Sequence, residues 1–371
     1  MTWNYLQPVT IRFGNGRVGE LGDAIYSLGG SRGILISSRS FEKRGIVEKI
    51  TKDSGGLICA AYCAVSPNPD VAECQECVDL IREKGCDFVV ALGGGSVMDC
   101  AKAAACICKG NLPASDYMDG AELPGASLPL IAVPTTAGTG SEITSVSVLS
   151  DHVRGIKKPL VSDAFYPRLA IVDPELTYSV PRHTTACTGM DVLCHAIEGY
   201  WSTKHQPICD ALAVHAARLV FENLRTACDE PENALAREKM AEASVIAGLA
   251  FTLPKTTCSH ACSYPLTNLL GIPHGEACAL TIDHFMRINA AHDDGRLGAL
   301  AKMLGFADGF AMADEITALK KDIGMMQDLK GFALDDEMFE KIVQGSKHPN
   351  LKNNPTEITD QMLRGMYSAM R

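Results

Sequence analysis

Short β-branched runs alternate with helical patterns through the first half of this chain, and near Pro181 the alternation stops. "RGILISS" (32–38), "GLICAAYCAV" (56–65), "DFVVALGGGS" (87–96) and "LPLIAVPTTAGTGSE" (128–142) read as strands bounded by glycine or proline. Helical patterns lie between them, from about Asp70 to Gly85 and over "MDCAKAAACICKG" to Gly110. Alternation of this kind predicts βα units and a mostly parallel sheet. Beyond Pro181 helical stretches dominate, among them "TACTGMDVLCHAIEGYWS", "DALAVHAARLVFENL" and "TDQMLRGMYSAM". The expected architecture is an α/β, Rossmann-like domain over residues 1–180 and an all-α domain over residues 181–371.

A chain of 371 residues is long enough for two such cores. Its formal net charge of −10 argues against nucleic acid or an anionic membrane surface as partner. No apolar run approaches the roughly 18–20 residues of a membrane span. The opening "MTWNYLQPVTIRFGNG" lacks the basic and apolar regions of a signal peptide, so a cytoplasmic location is expected. Fifteen cysteines in a chain of this size suit reduced thiols better than a disulfide scaffold. The pair Cys74 and Cys77 in "CQEC" has half a zinc-site spacing without a second half, and reads as buried thiols on a helix.

Two glycine-rich loops follow strands. "GGGSVMD" (93–99) opens a helix, where backbone N–H groups and the helix dipole favour an anion. "PTTAGTGSE" (134–142) ends a second strand. Either loop alone is a weak signal, but two at the carboxyl ends of strands in one parallel sheet point to a dinucleotide. In the helical half, Asp191 and His195 stand four apart and so share a helix face. Alone they read as a surface pair. With His260 and His274 they make one carboxylate and three imidazoles, a set suited to Fe(II) or Zn(II). Spacing leaves open whether the later histidines converge on the pair or sit satisfied in a core.

The motifs "FGNG", "GGGSVMDCAK", "PTTAGTGSE", "IVDPEL", "GMDVLCHAIEGY" and "GIPHGEACAL" occur in this order over nearly the whole chain. Together they resemble the iron-containing (group III) alcohol dehydrogenases. The resemblance implies that Asp191, His195, His260 and His274 are metal ligands and catalytic. It implies a Lewis acid that polarises an aldehyde or alcohol oxygen while NAD(H) or NADP(H) exchanges hydride. Gly94, Gly95 and Ser96 match the pyrophosphate turn, and Asn68, Asp99, Thr135, Thr136, Thr139, Thr144 and Lys157 match positions lining the cofactor. It also implies a homodimer or a larger homo-oligomer.

The chain departs from the family pattern at two places. Where NADH-using relatives often carry Asp after the second strand, this chain has Ser38 followed by Arg39, which makes room for the 2′-phosphate of NADPH. Where several relatives have a further His after the third ligand, it has Tyr264. The segment "KTTCSHACSYPLT" resembles the branch of the family that reduces sulfoacetaldehyde or phosphonoacetaldehyde. There Lys255, Thr256, Thr257, Ser263 and Tyr264 would meet an anionic substrate. The bland alternative is a helix break at Pro254 with a solvated lysine and capping threonines. Competing functions are a short-chain alcohol or 1,3-propanediol dehydrogenase, a lyase of the dehydroquinate synthase type, and a non-catalytic sensor.

Overall fold

The computed structural model describes residues 2–371 and divides them into two compact units. One comprises Leu6–Thr136 and Ser141–Thr177; the other comprises Tyr178–Arg371, Ala137–Gly140 and the N-terminal residues through Tyr5.

The first unit is built on eight strands: β1 (Thr10–Phe13), β2 (Gly33–Ser37), β3 (Ile58–Tyr62), β4 (Phe88–Gly93), β5 (Leu130–Pro134), β6 (Val146–Asp151), β7 (Ile156–Val161) and β8 (Leu169–Val172). Six form one parallel sheet in the order β1-β8-β5-β4-β2-β3, and β6 and β7 form a separate antiparallel hairpin. Alternate residues of each central strand enter different cores. Ile34, Ile36, Val89, Ala91, Leu130 and Ala132 pack on one face, and Leu35, Val90, Leu92, Ile131 and Val133 on the other. That two-sided burial explains why these strands read as unbroken apolar runs. The four expected strands are present. β1 and β8, four residues each, are too short to show a period; they pair with each other, and Asp173 just beyond β8 accepts from the backbone of Gly16 and Val18. The motifs "FGNG" and "IVDPEL" are therefore neighbours.

Helices α1 (Leu21–Ser27), α2 (Arg39–Lys43), α3 (Ile46–Asp53), α4 (Val71–Lys84), α5 (Gly95–Ile107) and α6 (Ala114–Met118) complete this unit. α4 begins at a capping box made by Asp70 and Glu73 and ends at Gly85 in the left-handed region, φ 62°. Following the chain, β3 lies on one side of β2 and β4 on the other, so the order reverses there. The carboxyl ends of β2, β4 and β5 consequently lie side by side, with Ser37 paired to Leu92 and Gly93 to Pro134.

The second unit holds α7 (Arg182–Trp201), α8 (Pro207–Asp229), α9 (Ala234–Phe251), α10 (Cys258–Leu270), α11 (His274–Ala291), α12 (Arg296–Met303), α13 (Gly309–Asp322), α14 (Asp336–Gly345) and α15 (Asp360–Met370). From Thr185 to Trp201, α7 is buried nearly all round and packs on α8, α9 and α11. A helix in that position should be apolar throughout. Instead it carries Asp191, His195 and Glu198, each no more than 5% exposed. Burying such groups costs heavily unless something compensates them.

Candidate active site

Three helices compensate them. α7 supplies Asp191 and His195, α10 supplies His260, and the first residue of α11 is His274. The Asp191 Oδ1 atom is the meeting point: Nε2 of His260 lies 3.5 Å away, and Nε2 of His195 and of His274 each lie 3.9 Å away. The His195 and His260 rings are 4.6 Å apart and those of His260 and His274 5.4 Å. Cys278, one turn after His274, brings its sulfur within 4.8 Å of ligand atoms of Asp191, His260 and His274. Sequence reasoning passed over Cys278, although its i+4 spacing from His274 carries the signal.

Asp191 Oδ1 and His260 Nε2 are buried and have no hydrogen-bond partner among the described residues. An orphaned buried polar atom costs about 1–3 kcal/mol. Ligands about 2.0–2.2 Å from a tetrahedral ion stand about 3.3–3.6 Å apart, close to the spacings here. The donor set, one carboxylate with three imidazoles, is that of a borderline divalent ion. The residues therefore fit a metal.

Behind the cluster stands Glu198, fully buried on α7. Its carboxylate accepts from Nδ1 of His260 at 2.5 Å, from the Thr257 N–H and hydroxyl at 3.1 and 2.9 Å, and from the Ser259 N–H at 2.6 Å. With Nδ1–H committed to Glu198, the Nε2 lone pair of His260 faces Asp191. Ser263 plays the same part for His274: its hydroxyl donates to the His260 carbonyl at 2.8 Å and lies 3.2 Å from His274 Nδ1. His195 is held differently, stacked on Phe251 with centroids 4.0 Å apart and rings 9° from parallel. Glu198 was missed in the sequence, yet Asp191, His195 and Glu198 at i, i+4 and i+7 share one helix face.

Charges in the cluster pull against burial. Burial acts to raise Asp191, but His195, His260 and His274 hold its carboxyl well below the usual range. Burial lowers His195 to about 4 despite Asp191. Burial works against a charged His260 too, yet Cys278, Glu198 and Asp191 draw it well above the usual histidine value. The centre thus favours a positive charge, which a dication supplies without a proton.

In the α/β unit, Gly94 precedes α5, and Gly95 and Ser96 are its first residues, so their N–H groups point from the helix N-terminus. A Cβ on Gly94 would come within 3.0 Å of the Thr136 hydroxyl, which leaves a cradle only glycine keeps open. Ser96 Oγ accepts from the Asn68 N–H at 3.2 Å, and Asn68 Oδ1 accepts from Lys157 at 2.8 Å. Thr135 lies at the end of β5, its N–H bonded to the Gly93 carbonyl at 3.0 Å. Ser38 stands between β2 and α2, and its hydroxyl lies 2.9 Å from that of Ser40. Asp99 and Thr144 belong to a buried network that sequence reasoning did not foresee. Asp99 accepts from Ser141 and from the Val148 N–H, while Lys102, fully buried, donates to Ser141, Thr144 and the Val146 carbonyl. Thr139 belongs to the helical unit, where it lines a cavity of about 220 Å³ shared by Asp191, His274 and Cys187.

The residues expected around an anion divide. Thr257 and Ser263 spend their hydroxyls behind His260 and His274, and Thr257 also accepts from Trp201 Nε1 at 2.6 Å. Both are fully buried. Thr256 accepts from Asn350 and, through its carbonyl, from Asn353. Tyr264 packs on His348 with centroids 4.7 Å apart. Lys255 holds a left-handed backbone, φ 66°, and no ion pair reaches it among the described residues. The residue is exposed overall, but partial desolvation of the ammonium, then the charge of Lys204, sets it below the usual lysine range.

The family model "Iron-containing alcohol dehydrogenase" matches residues 8–174, and "Fe-containing alcohol dehydrogenase family, C-terminal" matches residues 185–370. The crystal structure of sulfoacetaldehyde reductase from Bifidobacterium kashiwanohense in complex with NAD+ superimposes with a TM-score of 0.98 at 55% identity, covering 100% of this chain and 99% of that one. The 1,3-propanediol dehydrogenase of Klebsiella pneumoniae is 32% identical over 378 residues, 98% of each chain. The sulfoacetaldehyde reductase of Bilophila wadsworthia is 33% identical over 293 residues, 78% of this chain and 76% of its own. No helix among the described residues is long and apolar enough to cross a membrane. The chain belongs to the iron-containing alcohol dehydrogenases, NAD-linked oxidoreductases that depend on a divalent metal.

Proposed function

We propose that this enzyme reduces sulfoacetaldehyde, a two-carbon aldehyde with a sulfonate tail, to isethionate, using NAD(H) and a divalent ion. The observation that carries the reading is the 55% identity, over the full chain, to a sulfoacetaldehyde reductase. Asp191, His195, His260 and His274 would hold Fe(II) or Zn(II). Gly94, Gly95 and Ser96 would meet the pyrophosphate, with Asn68, Asp99, Thr135, Thr136, Thr139, Thr144 and Lys157 along the cofactor, Asp99 held by Ser141 and Thr144 by Lys102. We assign residues 1–180 to the dinucleotide and 181–371 to metal and substrate, in a cytoplasmic homodimer or larger homo-oligomer.

Polarisation of the aldehyde oxygen is the chemistry such an ion supplies, and hydride is what the reduced nicotinamide supplies. The chain's own residues do the rest. Glu198 and Ser263 fix the orientation of His260 and His274, so that ligand lone pairs converge before substrate arrives. Phe251 covers the His195 ring and keeps water from it. Lys255, an ammonium with no carboxylate partner among the described residues, supplies the charge that a sulfonate requires.

Steady-state kinetics test the assignment. A charge-assisted contact contributes about 1.5–3 kcal/mol, so Lys255→Ala should lower kcat/KM for sulfoacetaldehyde by about 10- to 150-fold. Turnover of propanal, which has no anion, should barely change. Equal losses on both aldehydes would make Lys255 structural and leave a general short-chain alcohol dehydrogenase. Parallel assays with phosphonoacetaldehyde separate the two tetrahedral anions.

A further inference from the structure

A second group of ligand atoms stands where the first half of α7 meets the start of α11. His183 Nε2 lies 3.7 Å from the Cys187 sulfur and 3.1 Å from Glu276 Oε2, and ligand atoms of all three lie within 4.8 Å of one another. The reaction above gives none of the three a part.

The trio is held in place from behind. His183 and Cys187 are four apart on α7 and share a face. Glu276 is in the first turn of α11 and is brought there by Gly275. A Cβ on that glycine would stand 2.1 Å from the Cys187 carbonyl oxygen, so the two helix backbones meet at a distance only glycine allows. The second carboxylate oxygen, Glu276 Oε1, accepts from the Met326 N–H at 3.0 Å. That bond leaves Oε2 facing His183 and Cys187. Cys187 and Glu276 are buried, whereas the His183 side chain is 57% exposed. His183 and Cys187 also line the cavity of about 220 Å³, which gives the group an entry path and a side without protein ligands.

One thiol, one imidazole and one carboxylate with a free fourth side is the composition of an open zinc site. Zinc bonds of about 2.0–2.3 Å require ligand atoms about 3.3–3.8 Å apart, and the measured 3.7 and 3.1 Å need only small side-chain shifts. We propose that His183, Cys187 and Glu276 form a second divalent-metal site, selective for Zn(II), beside the first. On binding, the Cys187 S–H bond breaks as the sulfur–metal bond forms, and the proton passes to solvent through the cavity. No electron changes hands. The proposal holds whichever aldehyde the enzyme reduces.

Zinc uptake by the holoenzyme, carrying its resident ion, tests it without reference to activity. Dialysis against rising Zn(II), with bound zinc counted per chain, should give one equivalent more for wild type than for Cys187→Ser. His183→Ala, which alters an exposed ring and so leaves folding intact, should lose the same equivalent. For either variant the affinity loss should exceed the roughly 10- to 100-fold that follows removal of even an outer partner of a metal. With Co(II) as probe, wild type should show thiolate-to-cobalt absorption in the near ultraviolet, and Cys187→Ser should lack it. Equal uptake by wild type and His183→Ala overturns the proposal. So does a cobalt–thiolate band that survives in Cys187→Ser, because it would place the sulfur at Cys278.

Discussion

Glu198 shows most plainly what a single residue contributes. Its carboxylate is fully buried and accepts four hydrogen bonds, one of them from His260 Nδ1. In Glu198→Gln one oxygen becomes an NH2, which would face N–H donors and leave at least one of them unpaired. Loss of such a partner typically costs 10- to 100-fold in metal affinity, roughly. The variant should stay folded and lose its ion at correspondingly lower chelator concentration; unchanged metal retention would show that Glu198 serves the fold alone. Of this cluster, Asp191 and His195 were legible because i, i+4 is a local pattern. The convergence of His260 and His274 was legible only through resemblance, since 65 residues separate His195 from His260. The roles of Thr257 and Ser263 were not legible at all. A hydroxyl next to a ligand can face the substrate or stand behind the ligand, and only the helix geometry of α10 places these two behind.

At the scale of elements, the approach of α11 to α7 decides where His274 can stand. Gly275→Ala would set a methyl 2.1 Å from the Cys187 carbonyl oxygen and 3.2 Å from Asp191 Cβ, so the helices must part. Forcing a carbon into a packed contact costs about 1–3 kcal/mol. The expected result is a lower thermal midpoint together with reduced metal content; a variant equal to wild type in both would disprove the contact. Elsewhere, α14 and α15 are joined by Arg364, which donates to both Glu340 oxygens at 2.7 and 2.8 Å and to Asp360 at 2.5 Å. Arg364, then Gln344, lowers Glu340 from its ordinary 4.5 to about 2. A depressed carboxylate contributes stability that is complete above about pH 4.5 and is lost as pH falls towards 2. The difference in thermal midpoint between wild type and Glu340→Gln should therefore shrink from pH 6 to pH 2, and the pair is exposed enough for that difference to be small. A difference that grew on acidification would contradict the ion pair. Elements were legible where they are long or buried on two faces. The hairpin of β6 and β7 was not, because in β7 Lys157, Lys158 and Pro159 interrupt any alternation.

At the scale of the whole molecule, the strand order explains why residues distant in sequence were expected around one cofactor. Ser38, Gly94 and Thr135 follow three adjacent parallel strands at the place where the order reverses. Ser38→Asp would set a carboxylate against the 2′-phosphate of NADPH. A tenfold or greater rise in KM for NADPH is expected, about 1.4 kcal/mol, with little change for NADH. A wild type that ignores NADPH would remove the ground for this. The division into an α/β and a helical part was legible because periodicity changes character near Pro181. That Ala137–Gly140 groups with the helical unit was not, since four residues of Gly, Ala and Thr carry no period. One feature of that unit bears on how such an enzyme can change over generations. His183, Cys187, Asp191, His195 and Glu198 form a single stripe along α7. Any one of them can be exchanged by a point mutation while the others keep their places. A residue gained or lost between them would turn all that follows by about 100° and carry those side chains off the stripe. In descent, this helix is open to new letters and closed to new length, and variation in length is expected to collect in the loops instead.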